Sequence, residues 1–104
     1  MPATDLGEPS DEEPLPPLRK RALKALEAME SNPRADWTID DIGRVARGLG
    51  LRFSPPTSGS HYKVSSEHVD GLLVVPARKP IKPPYIRDFC GLCRAHINYA
   101  MGKE

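Results

Sequence analysis

The chain is organised around SGSHYKV, at residues 58–64. Because side chains alternate along a strand, Tyr62 and Val64 fall on one face and His61 and Lys63 on the other. The apolar face can pack on a core while the histidine stays on the polar face. An imidazole can accept a proton near neutral pH, and the small residues before it let a ligand backbone come close. His61 is therefore the first candidate for chemistry.

The second informative stretch is LVVPARKPIKP at residues 73–83. Its apolar run stops at Pro76 and predicts a strand over residues 72–77, and the chain then passes through Arg78, Lys79 and Lys82 before a helix begins. Three cations in this position suit a polyanion that lies along the surface. A base near several cations indicates work on phosphodiesters.

In their order, these motifs resemble those of the HicA toxins, the messenger-RNA interferases of HicA/HicB type II toxin–antitoxin systems. The resemblance covers about residues 38–97: Gly59-Ser60-His61 opens a strand, a β-hairpin follows, and Val75-Pro76 leads through a basic turn into a last helix. Tyr62 and Ala77-Arg78 stand where the family often has a second histidine and a further polar residue or histidine. The resemblance implies a double-stranded-RNA-binding-like fold.

It also implies that the chain is an endoribonuclease with His61 as its catalytic general base. The base would take the proton from an RNA 2′-hydroxyl, so that this oxygen attacks the adjacent phosphorus and leaves a cyclic phosphate end. That route needs no metal and no other cofactor. The cations, or N–H groups at the start of the last helix, could stabilise charge on the phosphoryl oxygens. The residues expected to bind RNA are Gly59, Ser60, Lys63, Arg78, Lys79 and Lys82.

The expected partners are messenger RNA and a HicB-like antitoxin, which by the same resemblance covers the histidine. A non-catalytic RNA-binding or protein-interaction module of the same fold is the alternative function. Without the resemblance, the favoured interpretation of His61 would be a histidine that is merely tolerated on the surface of a sheet.

Charge is divided unevenly along the chain. Residues 1–33 carry four basic and seven acidic side chains, a net charge of −3, whereas residues 34–104 carry eleven and seven, a net charge of +4. An acidic arm could compete with a polyanion for the basic body of the protein. A solvated tail is nevertheless the favoured interpretation.

The compartment is indicated by the cysteines and by the absence of long apolar runs. Two cysteines three residues apart cannot staple a secreted fold. No apolar run has the length of a membrane span, and the N-terminus lacks the apolar core of a signal sequence. We therefore expect a cytoplasmic protein that does not contact a membrane.

These patterns predict one domain of the α+β class. A three-stranded antiparallel sheet carries helices packed on one face, in the order α-β-β-β-α, with an extra N-terminal helix before it. Residues 1–16 are expected to be a disordered acidic and Pro-rich leader, 17–36 the extra helix and its linker, 37–99 the HicA-like RNA-binding domain, and 100–104 a short tail.

Local signals predict where the second helix begins and ends. The Thr38 hydroxyl can cap a backbone N–H, Asp41 suits the positive helix end, and Gly50 supplies a left-handed stop. Trp37, just before this helix, is interpreted as a lid on the core rather than as a platform for an RNA base. The extra helix could pack on the domain, self-associate or bind a partner, and packing is favoured.

Cys90, Cys93 and His96 are spaced in a way that invites a zinc interpretation. On a helix the three side chains point in different directions, and a fourth ligand is missing. Both cysteines fall at the core spacing of the last helix, which disfavours a metal site and a redox pair. The pattern assigns no role to His68 or His96.

Overall fold

The structure, a computed structural model, describes residues 20–100. Its elements in chain order are α1 (Lys20–Ser31), α2 (Ile39–Leu49), β1 (Arg52–Ser54), β2 (His61–Ser65), β3 (Leu72–Pro76) and α3 (Pro83–Ala100). This order confirms the predicted α+β class and the extra N-terminal helix. The leader expected at residues 1–16 lies outside the described residues, as do residues 101–104 of the expected tail.

The sheet is antiparallel throughout, with β2 between β1 and β3. Val64 of β2 lies opposite Phe53 of β1 and Leu73 of β3. These three side chains belong to the core or pack against it, and Val75 is fully buried beside them. Because α2 packs on β1 and α3 on β3, the helices cover this inner face of the sheet. Within residues 20–100 no helix covers the outer face, as predicted.

The ends of α2 follow the local signals closely. The Thr38 Oγ1 accepts a hydrogen bond from the Asp41 N–H at 3.3 Å, and an Asp41 carboxylate oxygen accepts one from the Thr38 N–H at 2.9 Å. At the other end Gly50 has φ 87°, and its N–H bonds to carbonyls of the last turn. The cap and the left-handed stop are therefore confirmed. Both could be predicted because they depend only on residues in the helix or directly next to it.

The extra helix α1 packs against α2 and α3. Ala22, Leu26 and Met29 are buried in the same core as the sheet, so packing on the domain is confirmed among the three alternatives. A fork of two hydrogen bonds, 2.8 and 2.7 Å long, joins the Arg94 guanidinium of α3 to the Glu30 carboxylate of α1. The guanidinium lowers the pKa of Glu30, which keeps this exposed pair charged.

Trp37 closes the core beside α2, as interpreted from its position. Its ring is partly buried against the core, and its Nε1–H donates to the Asn32 carbonyl at 2.8 Å. The Trp37 carbonyl in turn accepts from the Ile81 N–H at 2.9 Å. The segment before α2 and the loop before α3 are thereby held together.

Helix α2 and strand β1 approach each other closely at Gly43. A Cβ atom built there would lie 2.9 Å from Cε2 of Phe53, so only a glycine accommodates this ring. The Phe53 ring stacks on Tyr62 with centroids 5.3 Å apart, and the Arg47 guanidinium carbon lies 5.1 Å from the Phe53 centroid. Tyr62 is therefore on the helix side of the sheet, as strand alternation predicts.

His96, which has no role in the sequence pattern, has a structural one. The imidazole is buried, its Nε2 lies 2.8 Å from the Leu49 carbonyl oxygen, and its Nδ1 lies 2.6 Å from Oγ of Ser66. Since a carbonyl can only accept, the proton is on Nε2, and Ser66 donates to Nδ1. The Ser66 hydroxyl also accepts from the His68 N–H at 2.9 Å. One neutral side chain thus ties α3 to the end of α2 and to the β2–β3 turn.

We predict that this buried histidine makes the protein less stable in mild acid. Burial lowers the pKa of His96, so the unfolded state binds the extra proton more readily. The stabilisation is complete above the unfolded pKa, near 6.5, and is lost as the pH falls below it, by at most about 1.4 kcal/mol per pH unit. Urea denaturation between pH 7.5 and 5.5 should show this loss in the parent.

The variant His96→Gln should be less stable at pH 7.5 but should lose less on acidification. His68→Gln is the matched control, because it removes a neighbouring histidine and leaves both His96 hydrogen bonds. This control should keep the steep pH dependence. Equal slopes for the parent and His96→Gln would show that another group titrates.

Candidate functional site

The β2–β3 pairing brings the two sequence motifs together. His61, the first residue of β2, lies opposite Pro76, the last residue of β3. One step further, the Ser60 carbonyl accepts a hydrogen bond from the Ala77 N–H at 2.9 Å. The Gly-Ser-His stretch and the turn that contains Arg78 therefore meet at the end of the hairpin away from its turn.

The outer face of the sheet carries one of the predicted cations in the same strand as His61. Lys63 follows His61 on the same face, and the register sets it between Ser54 of β1 and Val74 of β3. His61 and Lys63 are both exposed. Leu72 and Val74 of β3 are 60% and 39% exposed on this face. The face therefore combines a base, a cation and an apolar strip.

The remaining three cations lie in the loop between β3 and α3. Arg78, Lys79 and Lys82 are all exposed. The Arg78 N–H donates to the Pro76 carbonyl at 2.9 Å, so a tight turn keeps Arg78 next to the end of β3. Buried Ile81 anchors the loop further along. Lys79 and Lys82 are thus exposed residues of this loop. Among residues 20–100, neither lysine forms a hydrogen bond or an ion pair with His61.

The His61 imidazole is open to an incoming group. Within the part of the chain that the structure describes, no side chain hydrogen-bonds to it, and no carboxylate pairs with it. Among residues 20–100, neither ring nitrogen is therefore committed to a side-chain partner. Such a ring can accept a proton from a bound molecule, but the described residues do not orient it from behind.

The start of α3 does not supply the N–H groups that the sequence suggested for stabilising charge. Pro83 and Pro84 have no N–H, and the N–H groups of Tyr85 and Ile86 donate to the Lys82 carbonyl at 3.0 and 3.3 Å. The first N–H groups of this helix are thus missing or occupied. This expectation was wrong, and the cationic side chains remain the candidates for contacts with phosphate.

At position 59 the backbone conformation, and not a close neighbouring atom, requires a glycine. Its φ of 80° lies in the left-handed region, and a Cβ atom built there would meet nothing within 4 Å. The residue therefore sets the direction in which the chain enters β2 at Ser60 and His61.

We predict that Gly59→Ala lowers the free energy of unfolding by about 1–2 kcal/mol, because a Cβ strains the left-handed conformation. Gly91→Ala is the matched control, since Gly91 lies in α3 with open space around its Cα. That change should stabilise the protein by about 0.5–1 kcal/mol. Urea denaturation measures both. A neutral Gly59→Ala would contradict the left-handed turn.

The two cysteines serve packing in α3. Both are buried, and desolvation raises the pKa of Cys90 to about 11 and that of Cys93 further, with the Glu30 carboxylate adding to both shifts. Their thiols are thus protonated at neutral pH and are poor nucleophiles. The core spacing read from the sequence is confirmed. Among residues 20–100, no group of three or more His, Cys, Asp or Glu side chains is arranged to hold a metal ion.

Between residues 20 and 100, none of the helices is both long enough and apolar enough to cross a membrane. No protein-family model matches the chain, and no curated protein or solved structure matches it either.

Proposed function

We propose that this chain is a HicA-like toxin, an endoribonuclease with a double-stranded-RNA-binding-like fold that cleaves messenger RNA in the cytoplasm without a metal. The observation that best supports the proposal is the β2–β3 register. It joins His61 to the Pro76–Arg78 turn, so two motifs that are separate in the sequence become one exposed site.

In the proposed reaction, a nitrogen of His61 removes the proton from an RNA 2′-hydroxyl. The 2′-oxygen then bonds to the adjacent phosphorus while the bond from phosphorus to the 5′-oxygen breaks. The departing 5′-oxygen takes a proton from solvent. The products are a 2′,3′-cyclic phosphate end and a 5′-hydroxyl end, and every atom is supplied by the RNA, the base and water.

In this scheme the position of each cation decides which phosphate of the RNA it would contact. Lys63 follows the base on the same open face, and Arg78 sits at the neighbouring strand end, so these two are the candidates for contact with the reacting phosphate. Lys79 and Lys82 continue along the loop and would hold phosphates further along the strand. Gly59 and Ser60 shape the approach to the base.

A HicB-like antitoxin is the proposed protein partner. Leu72 and Val74 form an apolar strip on the open face next to Lys63, and the edge of β3 is not paired within the described sheet. A protein that covers this strip would bury apolar surface and block the cation at the same time.

A second candidate function is a non-catalytic module that binds RNA or a protein. It is favoured by the lack, among residues 20–100, of a side chain that orients the His61 ring. General bases in enzymes are usually oriented by a third group. The two candidates differ in whether RNA is cut.

We predict that the purified protein cleaves single-stranded RNA in the presence of a chelator and that His61→Ala reduces the rate about 10²–10⁴-fold. Fragment lengths and end groups are followed by gel electrophoresis and mass spectrometry. Cyclic phosphate or 3′-phosphate ends would identify attack by the 2′-oxygen.

His68→Ala is the matched control, since it removes another histidine, which lies at the β2–β3 turn away from the site. It should cleave like the parent. Equal cleavage by the parent and His61→Ala would assign the activity to a contaminant or to a different residue. Intact RNA with all three proteins, combined with measurable RNA binding, would favour the binding module.

We predict that the affinity for RNA falls steeply as the salt concentration rises, because the loop cations contact phosphates. With uncleaved RNA bound to His61→Ala, a plot of log affinity against log salt should lose about 0.7 of slope for each phosphate contact removed. Arg78→Gln/Lys79→Gln should therefore flatten the slope by about 1.4.

The control Lys24→Gln/Arg87→Gln removes the same charge from exposed positions on α1 and α3. Made in the His61→Ala protein, it should leave the slope close to that of His61→Ala alone. If both double variants flatten the slope equally, only the net charge matters and the loop is not a phosphate site.

A further inference from the structure

A groove between α1 and α2 lies apart from the strand residues of the candidate site. Its volume is about 520 Å³. Its floor is made of small or buried apolar residues, and its rim carries three arginines. The lining residues are Arg21, Ala22 and Ala25 of α1 with Arg44, Val45, Arg47 and Gly48 of α2.

The rim of this groove is strongly positive. Arg21, Arg44 and Arg47 are all exposed there. One carboxylate, that of Asp41, lies 2.6 Å from the Arg44 guanidinium, and the Arg47 guanidinium lies over the Phe53 ring. An apolar floor with a cationic rim fits an extended peptide that carries both carboxylates and an aliphatic side chain.

The chain itself contains such a peptide directly before α1. Residues 11–15 read DEEPL, and no basic residue precedes Arg19. Residue 15 is five positions before Lys20, where α1 begins beside Arg21 of the groove. At roughly 3.3 Å per residue, five residues reach about 17 Å, whereas Arg21 and Ala25 are only about 6 Å apart along the helix. The tether between residue 15 and Lys20 is therefore longer than the stretch of α1 that lines the groove.

We propose that residues 11–15 dock in the groove between α1 and α2 of the same chain. The three carboxylates lie against the arginine rim, and Leu15 covers the apolar floor. A short tether gives the segment an effective concentration in the millimolar range, so weak contacts suffice to hold it. This inference is independent of the proposed ribonuclease activity, because it uses neither His61 nor the loop cations.

The test uses the full chain labelled with ¹⁵N and compares backbone amide signals in NMR spectra. Glu12→Gln/Glu13→Gln removes two of the three negative charges of the docking segment, and Asp5→Asn/Glu8→Gln is the matched control with the same change in net charge. We expect the first pair to shift the amide signals of Ala22, Ala25 and Gly48, and the control pair to leave them in place.

Salt provides a second measurement on the same samples. At 1 M salt the Debye length is about 3 Å, so electrostatic docking should be released. The groove signals of the parent should then move to the positions seen in Glu12→Gln/Glu13→Gln. In that variant, salt should move them much less.

A reciprocal pair of variants examines the leader. Arg44→Gln/Arg47→Gln should shift the amide signals of Asp11, Glu12, Glu13 and Leu15, whereas Arg34→Gln/Arg87→Gln, which changes exposed arginines outside the groove, should not. Groove signals that are identical in the parent and both acidic-segment variants would overturn the proposal. So would equal shifts from both variants, since these would report only the overall charge.

Two other occupants give distinct results that also overturn it. Shifts that depend on protein concentration would assign the groove to the leader of a second copy. A response to added single-stranded RNA, without any response to the leader variants, would make the groove a polyanion site.

Discussion

The pairing of β2 with β3 in a single register fixes both the core of the sheet and the position of His61. A slip of one residue would turn Val64 out of the core and Lys63 into it. The same register sets His61 opposite Pro76, and the next hydrogen bond links Ser60 to Ala77. The exposed histidine is therefore held in place by the packing of Val64, a buried residue three positions away in the same strand. The core and the candidate site share one register and cannot be changed separately.

Features that depend on neighbouring residues could be predicted from the sequence. The alternation of side chains in β2, the Thr38 cap and the Gly50 stop agree with the structure because each is decided by strand geometry or by hydrogen bonds within a few residues. The core positions of α3 follow in the same way from helical spacing. Burial of Cys90 and Cys93 needed no knowledge of what lies opposite them.

Features that join distant parts of the chain could not be predicted in this way. His96 lies three residues after Cys93 and so falls near the apolar stripe of α3, which was a readable sign of burial. Its partners, the Leu49 carbonyl and the Ser66 hydroxyl, are far away in the sequence and become visible only in the packed structure. The groove on α1 has the same origin, since its arginines come from two helices. In contrast, the lack of N–H groups at Pro83 was readable from the sequence.

The exposure of His61 changes what the cations must do in the proposed reaction. No side chain among residues 20–100 orients the imidazole, so its alignment with a 2′-hydroxyl has to come from how the RNA lies on the protein. Positioning of this kind can supply a large part of a rate enhancement. Lys63 and Arg78 would then determine the geometry of attack as well as stabilise charge. A partner that covered Leu72 and Val74 would occupy the face that carries Lys63, and it could stop cleavage without touching the base.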